Sequence, residues 1–488
     1  MLRRGIAVGR LRTTGRSTTL PDGDEGTSTG IAPASWGPTE DGLAQAFLAH
    51  HGSELRYCPS AGRWLRWGQY RWVWDEADLH WQYVLKLARQ LPKTGRWRRF
   101  HAKALSAAGV AGVTRLARTS PAVTVCLDEL DAHPYELNTP TGIVDLRTGL
   151  LHPADRTHLH TRSTTVGPDF DRRGEVFDRF LDDTFGDDIG LRTYVQRLVG
   201  AAAIGSVLEQ ILPFALGDGA DGKSTLFGAI MHALGIDKSG YAIAASSDLL
   251  LQRQHADHPT ELAQLAGARL VVCSELDEGQ RFAEARVKLL TSPDIIPARF
   301  MHGNWFSFRP SHSIFLLGNH RPAASAGGPA FWRRLRLVPF SRSVPEDRQD
   351  PHLPERLQQE APAVLAWVVQ GAVAYLRDGT GEPDTVRAAT AAYAREQDSV
   401  AGFVADCCTL AVDQPAVQVA TGTLRSAYEL WCAENDDAPV TPKVFTQRLH
   451  RLGVTSGRGA KGIRRYEGIT LRAETQQRQP EHSSEPMF

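Results

Sequence analysis

Lysine is scarce in this chain, 8 residues against 47 arginines in 488, so a lysine in a chemically telling position is not filler. Cysteine is sparse as well. The six, at positions 58, 126, 273, 407, 408 and 432, include no C-x-x-C pair, which argues against a zinc ribbon and a disulfide framework and points to a reducing, cytosolic setting. No apolar run approaches the roughly 20 residues of a membrane span, and the N-terminal stretch has no apolar signal-peptide core, so no membrane partner is expected. Net charge is missing too: 55 Lys and Arg balance 55 Asp and Glu. Contact with nucleic acid must therefore come from local arginine clusters.

What the chain does have is one glycine-rich stretch around which the rest is arranged. An apolar run beginning at Ile211 breaks into Gly217, Asp218, Gly219, Ala220, Asp221, Gly222, Lys223, Ser224 and Thr225, and then into a helical run that ends at Leu234. This fits G-x-x-x-x-G-K-[ST] without substitution. Glycines let successive backbone N–H groups turn inward onto phosphate oxygens, Lys223 reaches the β- and γ-phosphates, and Ser224 offers its hydroxyl to Mg²⁺. The helix that follows favours the same anion at its N-terminus. The bland alternative is a glycine-rich surface turn. Because Lys223 acts from a loop, Lys223→Ala is expected to abolish ATP hydrolysis and leave the fold intact.

Length suggests about three domains, and 42% hydrophobic with 23% charged residues describes a globular protein. Residues 1–40 read as a disordered tail. Helical patterning starts near Leu43, and the run from Trp64 to Trp74 alternates aromatic and polar residues around Gly68-Gln69, as a hairpin does. Its aromatics suit either a small core or base stacking. Arg96-Trp97-Arg98-Arg99 suits a solvated face or a nucleic-acid contact. Two short strands follow from Leu137 to Gly149, and Phe177 to Ile204 is helical.

Beyond the loop, Leu270 to Ser274 is a β-rich run ending in Glu275, with Asp277 and Glu278 close behind. A carboxylate at the end of a neighbouring parallel strand can reach Mg²⁺, and another can orient the attacking water. Two β-like runs meet around His302, with Arg299 and several aromatics near the tip of the implied hairpin. The run Ser313 to Gly318 ends in Asn319, whose amide could hold a γ-phosphate or a water. Arg333 and Arg334 precede a last strand-like run.

These segments, GDGADGKST, RLVVCSELDE, ARFMHGNWFSF, FLLGNHRP and FWRRLRLVPF in that order, resemble superfamily 3 helicases of the phage and plasmid primase–helicase type, the group that includes poxvirus-like replicative ATPases. LNTPTGIVDLRTG looks like that family's N-terminal helicase-associated region. The resemblance implies an α/β fold: a P-loop (AAA+-like) ATPase core with a parallel sheet, a small α+β N-terminal domain and a C-terminal winged helix. It implies Glu275 as the metal-side acid with Asp277 or Glu278 as its partner, Asn319 as a sensor amide, and Arg333 or Arg334 as a finger inserted by a neighbouring subunit. Arg299 and His302 would track single-stranded or forked DNA. ATP and Mg²⁺ are the implied cofactors. The implied partners are DNA, further copies in a hexameric ring, and a separate primase, polymerase or initiator, in a bacterial host cytoplasm.

The expected divisions are 1–40, 41–165, 166–345, 346–410 (a helical connector), 411–473 (the winged helix) and 474–488 (a second tail). Within 411–473, a helix, a second helix carrying Lys443, Arg448 and Arg451, and a basic wing from Gly457 to Gly462 suit either DNA or protein. Three other readings stay open. A non-translocating ATP switch would hydrolyse without displacing a strand, a metabolic P-loop kinase would carry a small-substrate pocket, and a primase would need an acid cluster that the N-terminal region does not offer in a suitable context.

Overall fold

The computed structural model describes residues 33–172, 174–252, 259–300, 304–324, 328–435, 439–458 and 462–472. Residues 1–32 and 474–488 of the two expected tails lie outside them. No helix among the described residues is long and apolar enough to cross a membrane.

Internal contacts divide the chain into two units, Met1–Leu65 with Asp75–Val125, and Arg66–Trp74 with Cys126–Phe488. The first is built on helices Glu40–His51, Leu79–Arg89, Arg98–Ala104 and Ala107–Ala117. Thr39 starts the first of these by accepting the Gly42 N–H at 2.9 Å, as an N-cap hydroxyl should. Leu43, Phe47, Trp64, Leu87 and Val113 fill its core. Trp97 and Phe100 are buried while Arg96, Arg98 and Arg99 are exposed, so this cluster is the outer face of an amphipathic segment. Trp64 is likewise a core residue.

The second unit carries a five-stranded sheet, numbered here β1 (Leu212–Leu216), β2 (Ala242–Ser246), β3 (Leu270–Ser274), β4 (Ser313–Gly318) and β5 (Leu335–Pro339). The strands run in the order β5-β1-β4-β3-β2, all parallel. Parallel strands with both faces covered read as near-continuous apolar runs, as the central β1, β3 and β4 do, whereas edge strand β2 leaves Ala244 and Ser246 exposed. Alternate residues then fill two cores. Leu212, Phe214, Val271, Ile314, Leu316 and Leu337 face one, while Ala215, Val272, Phe315, Leu317 and Val338 face the other, as the two-residue period of a strand requires.

The sequence groups the meander Glu136–Thr139, Gly142–Asp145 and Leu150–His152 with the N-terminal region. It packs instead with the second unit: Leu137, Val144 and Leu146 share a core with Phe177, Leu226 and Val364. Internal contacts thus part the two units after Val125, with Arg66–Trp74 grouped in the second. C-terminally, helices Asp384–Glu396 and Ser399–Cys407 lead to helices Thr421–Glu434 and Pro442–Arg451. Strands Gln418–Ala420 and Thr455–Arg458 both pair antiparallel with Arg464–Glu467.

Helices Ile189–Ala203 and Ala361–Asp378 cross where two glycines meet. A Cβ on Gly200 would lie 2.1 Å from the Ala372 nitrogen, and one on Gly371 would lie 2.2 Å from the Gln196 carbonyl oxygen. Neither obstacle is a flexible side chain, so the helices would have to separate. Gly371→Ala should therefore destabilise the protein by roughly 1–3 kcal/mol, read as a lower urea midpoint. An unchanged midpoint would mean that this crossing is looser than described.

Candidate nucleotide site at the carboxyl edge of the sheet

Because all five strands share one direction, their carboxyl ends lie at one edge. β1 sits between β4 and β5, whose order in the sheet reverses about it, and such a switch point opens a crevice beyond the strand ends. The register pairs Leu216 with Gly318 and Leu316 with Cys273. Gly217, Asn319 and Glu275 consequently leave the sheet at nearly the same level.

The loop from Gly217 to Gly222 is held from below. A Cβ on Gly217 would lie 2.1 Å from Asp221 Oδ2 and 2.4 Å from the Phe340 carbonyl oxygen, so only glycine fits there. Gly222, at φ +82°, turns the chain into helix Lys223–Leu234. From the other side Val344 N donates to the Ala220 carbonyl at 2.8 Å and Ser343 Oγ to the Gly219 carbonyl at 3.2 Å.

Asp221 proves to be a strut. It is 3% exposed, and its carboxylate accepts from Lys223 N (3.2 Å), Gly219 N (3.3 Å) and Lys223 Nζ (2.7 Å). Lys223 Nζ also donates to the Gly217 carbonyl at 3.0 Å. Two of the ammonium's three donors are thus used, leaving one for a phosphate oxygen. Ser224 is exposed at the helix start, where a hydroxyl can meet a hydrated Mg²⁺. The donors fit a triphosphate with its metal.

Glu275 follows β3 in the left-handed region, φ +71°, a backbone that a non-glycine residue adopts at some cost and that is concentrated at functional sites. Its carbonyl accepts Ser247 Oγ at 2.7 Å. The turn sends Leu276 down onto β4, where a Cβ on Gly318 would meet Leu276 Cδ1 at 2.1 Å. Leu276 is therefore a packing plug between acids. Glu275, Asp277, Glu278 and Asn319 remain exposed, and Asp277 N donates to the Gln280 side chain at 3.0 Å.

Beside the loop opens a pocket of 420 Å³, lined by Val176, Phe180, Thr184, Ala220, Thr225 and Leu353 among others. Arg179, Asp183, Arg348, Asp350 and Arg356 add charged groups to these walls, and the pocket's size suits a nucleoside. The sequence reading missed these walls, because residues 176–184 and 344–356 approach the loop only through the fold.

The two arginines before β5 differ. Arg333 is exposed, whereas Arg334 is buried, donating to the Ala330 carbonyl at 2.8 Å and to Gln210 Oε1 at 2.9 Å. Arg334 braces the start of β5. Arg448 is similarly buried against Asp398 at 2.9 Å, so of the three cations expected on its helix only Lys443 and Arg451 are exposed. Strands Ile296–Arg299 and Trp305–Phe308 form the expected hairpin. The Arg299 guanidinium lies 5.4 Å over the exposed Trp305 ring, and Phe300 stacks on Phe306 at 5.4 Å. His302 lies outside the described residues. Cys273 is buried in β3, which pushes its thiol pKa up to about 12, so it packs without redox or ligand chemistry.

The family described as D5 N terminal like matches residues 44–186. The chain is 24% identical over 305 residues to "Putative helicase L207/L206" of Acanthamoeba polyphaga mimivirus, covering 57% of this chain and 31% of that one. It is 23% identical over 319 residues to "Putative helicase 022R" of Frog virus 3, covering 61% and 32%. It thus spans about a third of the length of these curated relatives. Among solved structures, the apo NrS-1 C-terminal region (305-718) aligns over 88% of this chain and 98% of that one, at 11% identity and a TM-score of 0.49. The chain is thus similar to viral proteins named as putative helicases.

The buried pair revises the expectation for Lys223→Ala. Removing one partner of a buried ion pair strands the other charge, at a cost on the order of 3 kcal/mol. Lys223→Ala should therefore lower the urea midpoint as well as nucleotide turnover, and Lys223→Ala with Asp221→Asn should recover much of the stability. A single variant as stable as the parent would mean that Asp221 readily turns to water.

Proposed function

We propose that this chain is an ATP-driven DNA helicase of phage, prophage or plasmid replication, working as a ring that moves on single-stranded DNA. The observation that carries the reading is a division of labour across one sheet. The carboxyl edge gathers the phosphate loop, Lys223, Ser224, Glu275 and Asn319, while Arg333 stands exposed before the amino end of β5. The helicase names of the viral relatives support the same reading.

In this reading the loop amides and Lys223 hold the triphosphate, and Ser224 with Glu275 holds Mg²⁺, which neutralises charge on the phosphates. Asp277 or Glu278 orients the attacking water, and the Asn319 amide holds the γ-phosphate or that water. Arg333 belongs to another subunit's site. Leu335 pairs with Leu212 and Pro339 with Leu216, so Arg333 lies more than a strand length, roughly 16 Å, from its own phosphate loop. The hairpin offers Arg299, Phe300 and Trp305 for phosphate contact and base stacking.

A second reading, a non-translocating ATP-dependent initiation switch, draws on the C-terminal helices and ribbon, which we assign to a winged helix. There the exposed Arg458 pairs directly opposite the exposed Arg464, an unfavourable like-charge pair that an anionic partner would relieve. Lys443 and Arg451 would add to that face. Strand displacement from a forked duplex separates the two readings, since a switch hydrolyses ATP without it.

Arg333→Ala should bind nucleotide nearly normally and hydrolyse it about 10³-fold more slowly. Mixing it with Glu275→Gln protein should recover activity, because some interfaces then join an intact acid to an intact finger. No recovery, with subunit exchange verified by labelled protein, would remove the trans finger and favour the switch.

Arg299→Ala and Trp305→Ala should weaken DNA-stimulated hydrolysis and unwinding more than basal hydrolysis, a stacked base being worth about 1–3 kcal/mol. Equal loss of basal and stimulated rates would assign the hairpin a structural role.

A further inference from the structure

Away from the nucleotide edge, three imidazoles converge on one carboxylate at the two ends of the meander. His133 precedes its first strand and Glu136 opens that strand, while His158 and His160 follow its last one. One ligand atom each from His133, Glu136 and His158 lies within 4.8 Å of the other two. His158 Nδ1 is 2.7 Å from Glu136 Oε2, and His160 Nε2 is 3.0 Å from the same oxygen.

We propose that His133, Glu136 and His158 bind a divalent transition metal of the zinc class, separate from any nucleotide-bound Mg²⁺. Two imidazoles and a carboxylate are a zinc donor set, with a fourth position left for water. The absence of thiolate disfavours Cu(I) and iron–sulfur clusters, and a single carboxylate is too few oxygens for Ca²⁺. Around a tetrahedral zinc, ligand atoms about 2.1 Å from the metal stand on the order of 3.3 Å apart. The His158–Glu136 pair, now hydrogen-bonded at 2.7 Å, would have to part by only about 0.6 Å to admit the ion. His133 is exposed, so its ring can turn inward and leaves a path for the ion.

His160 gives a second, independent sign. It is 2% exposed, and its Nδ1 has no hydrogen-bond partner among the described residues, with Asp131 Oδ1 at 3.9 Å. A buried imidazole fixed through one nitrogen to a ligating carboxylate is the outer partner that metal sites employ to orient their ligands. The site has a mechanical logic as well. Asp131 already ties the two ends of the meander together by accepting from Thr161 N and Arg162 N at 2.8 and 3.1 Å. A metal would fasten the same ends again, next to the core that supports the phosphate-loop helix.

The test uses the full chain, stripped with chelator, dialysed, free of nucleotide, and titrated with Zn²⁺ against a chromophoric chelator. One ion per chain is expected, and Co²⁺ in its place should give the absorption of a four-coordinate site. His133→Ala and His158→Ala should each weaken binding by more than the roughly 10–100-fold expected for the outer residue in His160→Ala. Zinc should also raise the melting temperature of the parent and not of His133→Ala. Because His133 is exposed, that variant keeps its fold and decides the matter alone if His158→Ala does not fold. Absence of stoichiometric binding, or binding unchanged in His133→Ala, would overturn the proposal.

Discussion

The constraint on which the rest depends is that all five strands of the central sheet point the same way. Parallel pairing forces every connection to return across a face of the sheet, which covers both faces and gives the near-continuous apolar strands their two cores. It also collects the functional ends. β1, β3 and β4 deliver Gly217, Glu275 and Asn319 to one edge without any of these residues being near another in sequence. A one-residue slip of β4 against β1 would turn Phe315 and Leu316 to the wrong cores, so the register that positions Asn319 is fixed by hydrophobic packing.

Within that frame the phosphate loop is organised by charge burial. Asp221 sits beneath the loop, satisfied by two backbone N–H groups and the Lys223 ammonium, and the room it occupies is room that a Gly217 side chain would have needed. The loop is thus preorganised from inside, with its acid on the protein side and its lysine presented between a carbonyl and a carboxylate. An anion arriving from solvent meets a positively biased rim of amides and the helix start, while the negative charge of Asp221 is compensated at 2.7 Å.

What could be read from the sequence was what is local. The glycine loop, the apolar strands ending in Glu275 and Asn319, and the hairpin carrying Arg299 are each set by residues within a dozen positions, and all lie where that reading put them along the chain. What could not be read was pairing at a distance. Arg334 and Arg448 look like exposed cations in a string of letters, yet Gln210 and Asp398 claim them. The pocket beside the loop is walled by residues on either side of the loop, far off in sequence. The meander joins the second unit because Leu137 and Val144 find the core there. Likewise, nothing in Glu275-Leu276-Asp277 announces that a left-handed Glu275 tucks Leu276 onto Gly318, although that turn explains why an apolar residue interrupts the acids.

For the proposed helicase, the same polarity offers a route for coupling. The hairpin Ile296–Arg299 with Trp305–Phe308 runs, through only four residues, into the amino end of β4, and β4 ends at Asn319 beside the phosphate loop. If DNA displaced the hairpin in the proposed helicase, the shift would bear on a strand buried between β1 and β3, whose far end would sense the γ-phosphate. Packed interiors transmit such strain because they have little room to absorb it. Arg333, just before β5 and two strands away, would report to the neighbouring subunit from the edge where the hairpin joins the sheet. In the proposed ring, nucleotide state in one subunit and DNA position in the next would then be linked through rigid strands, with no moving lid required.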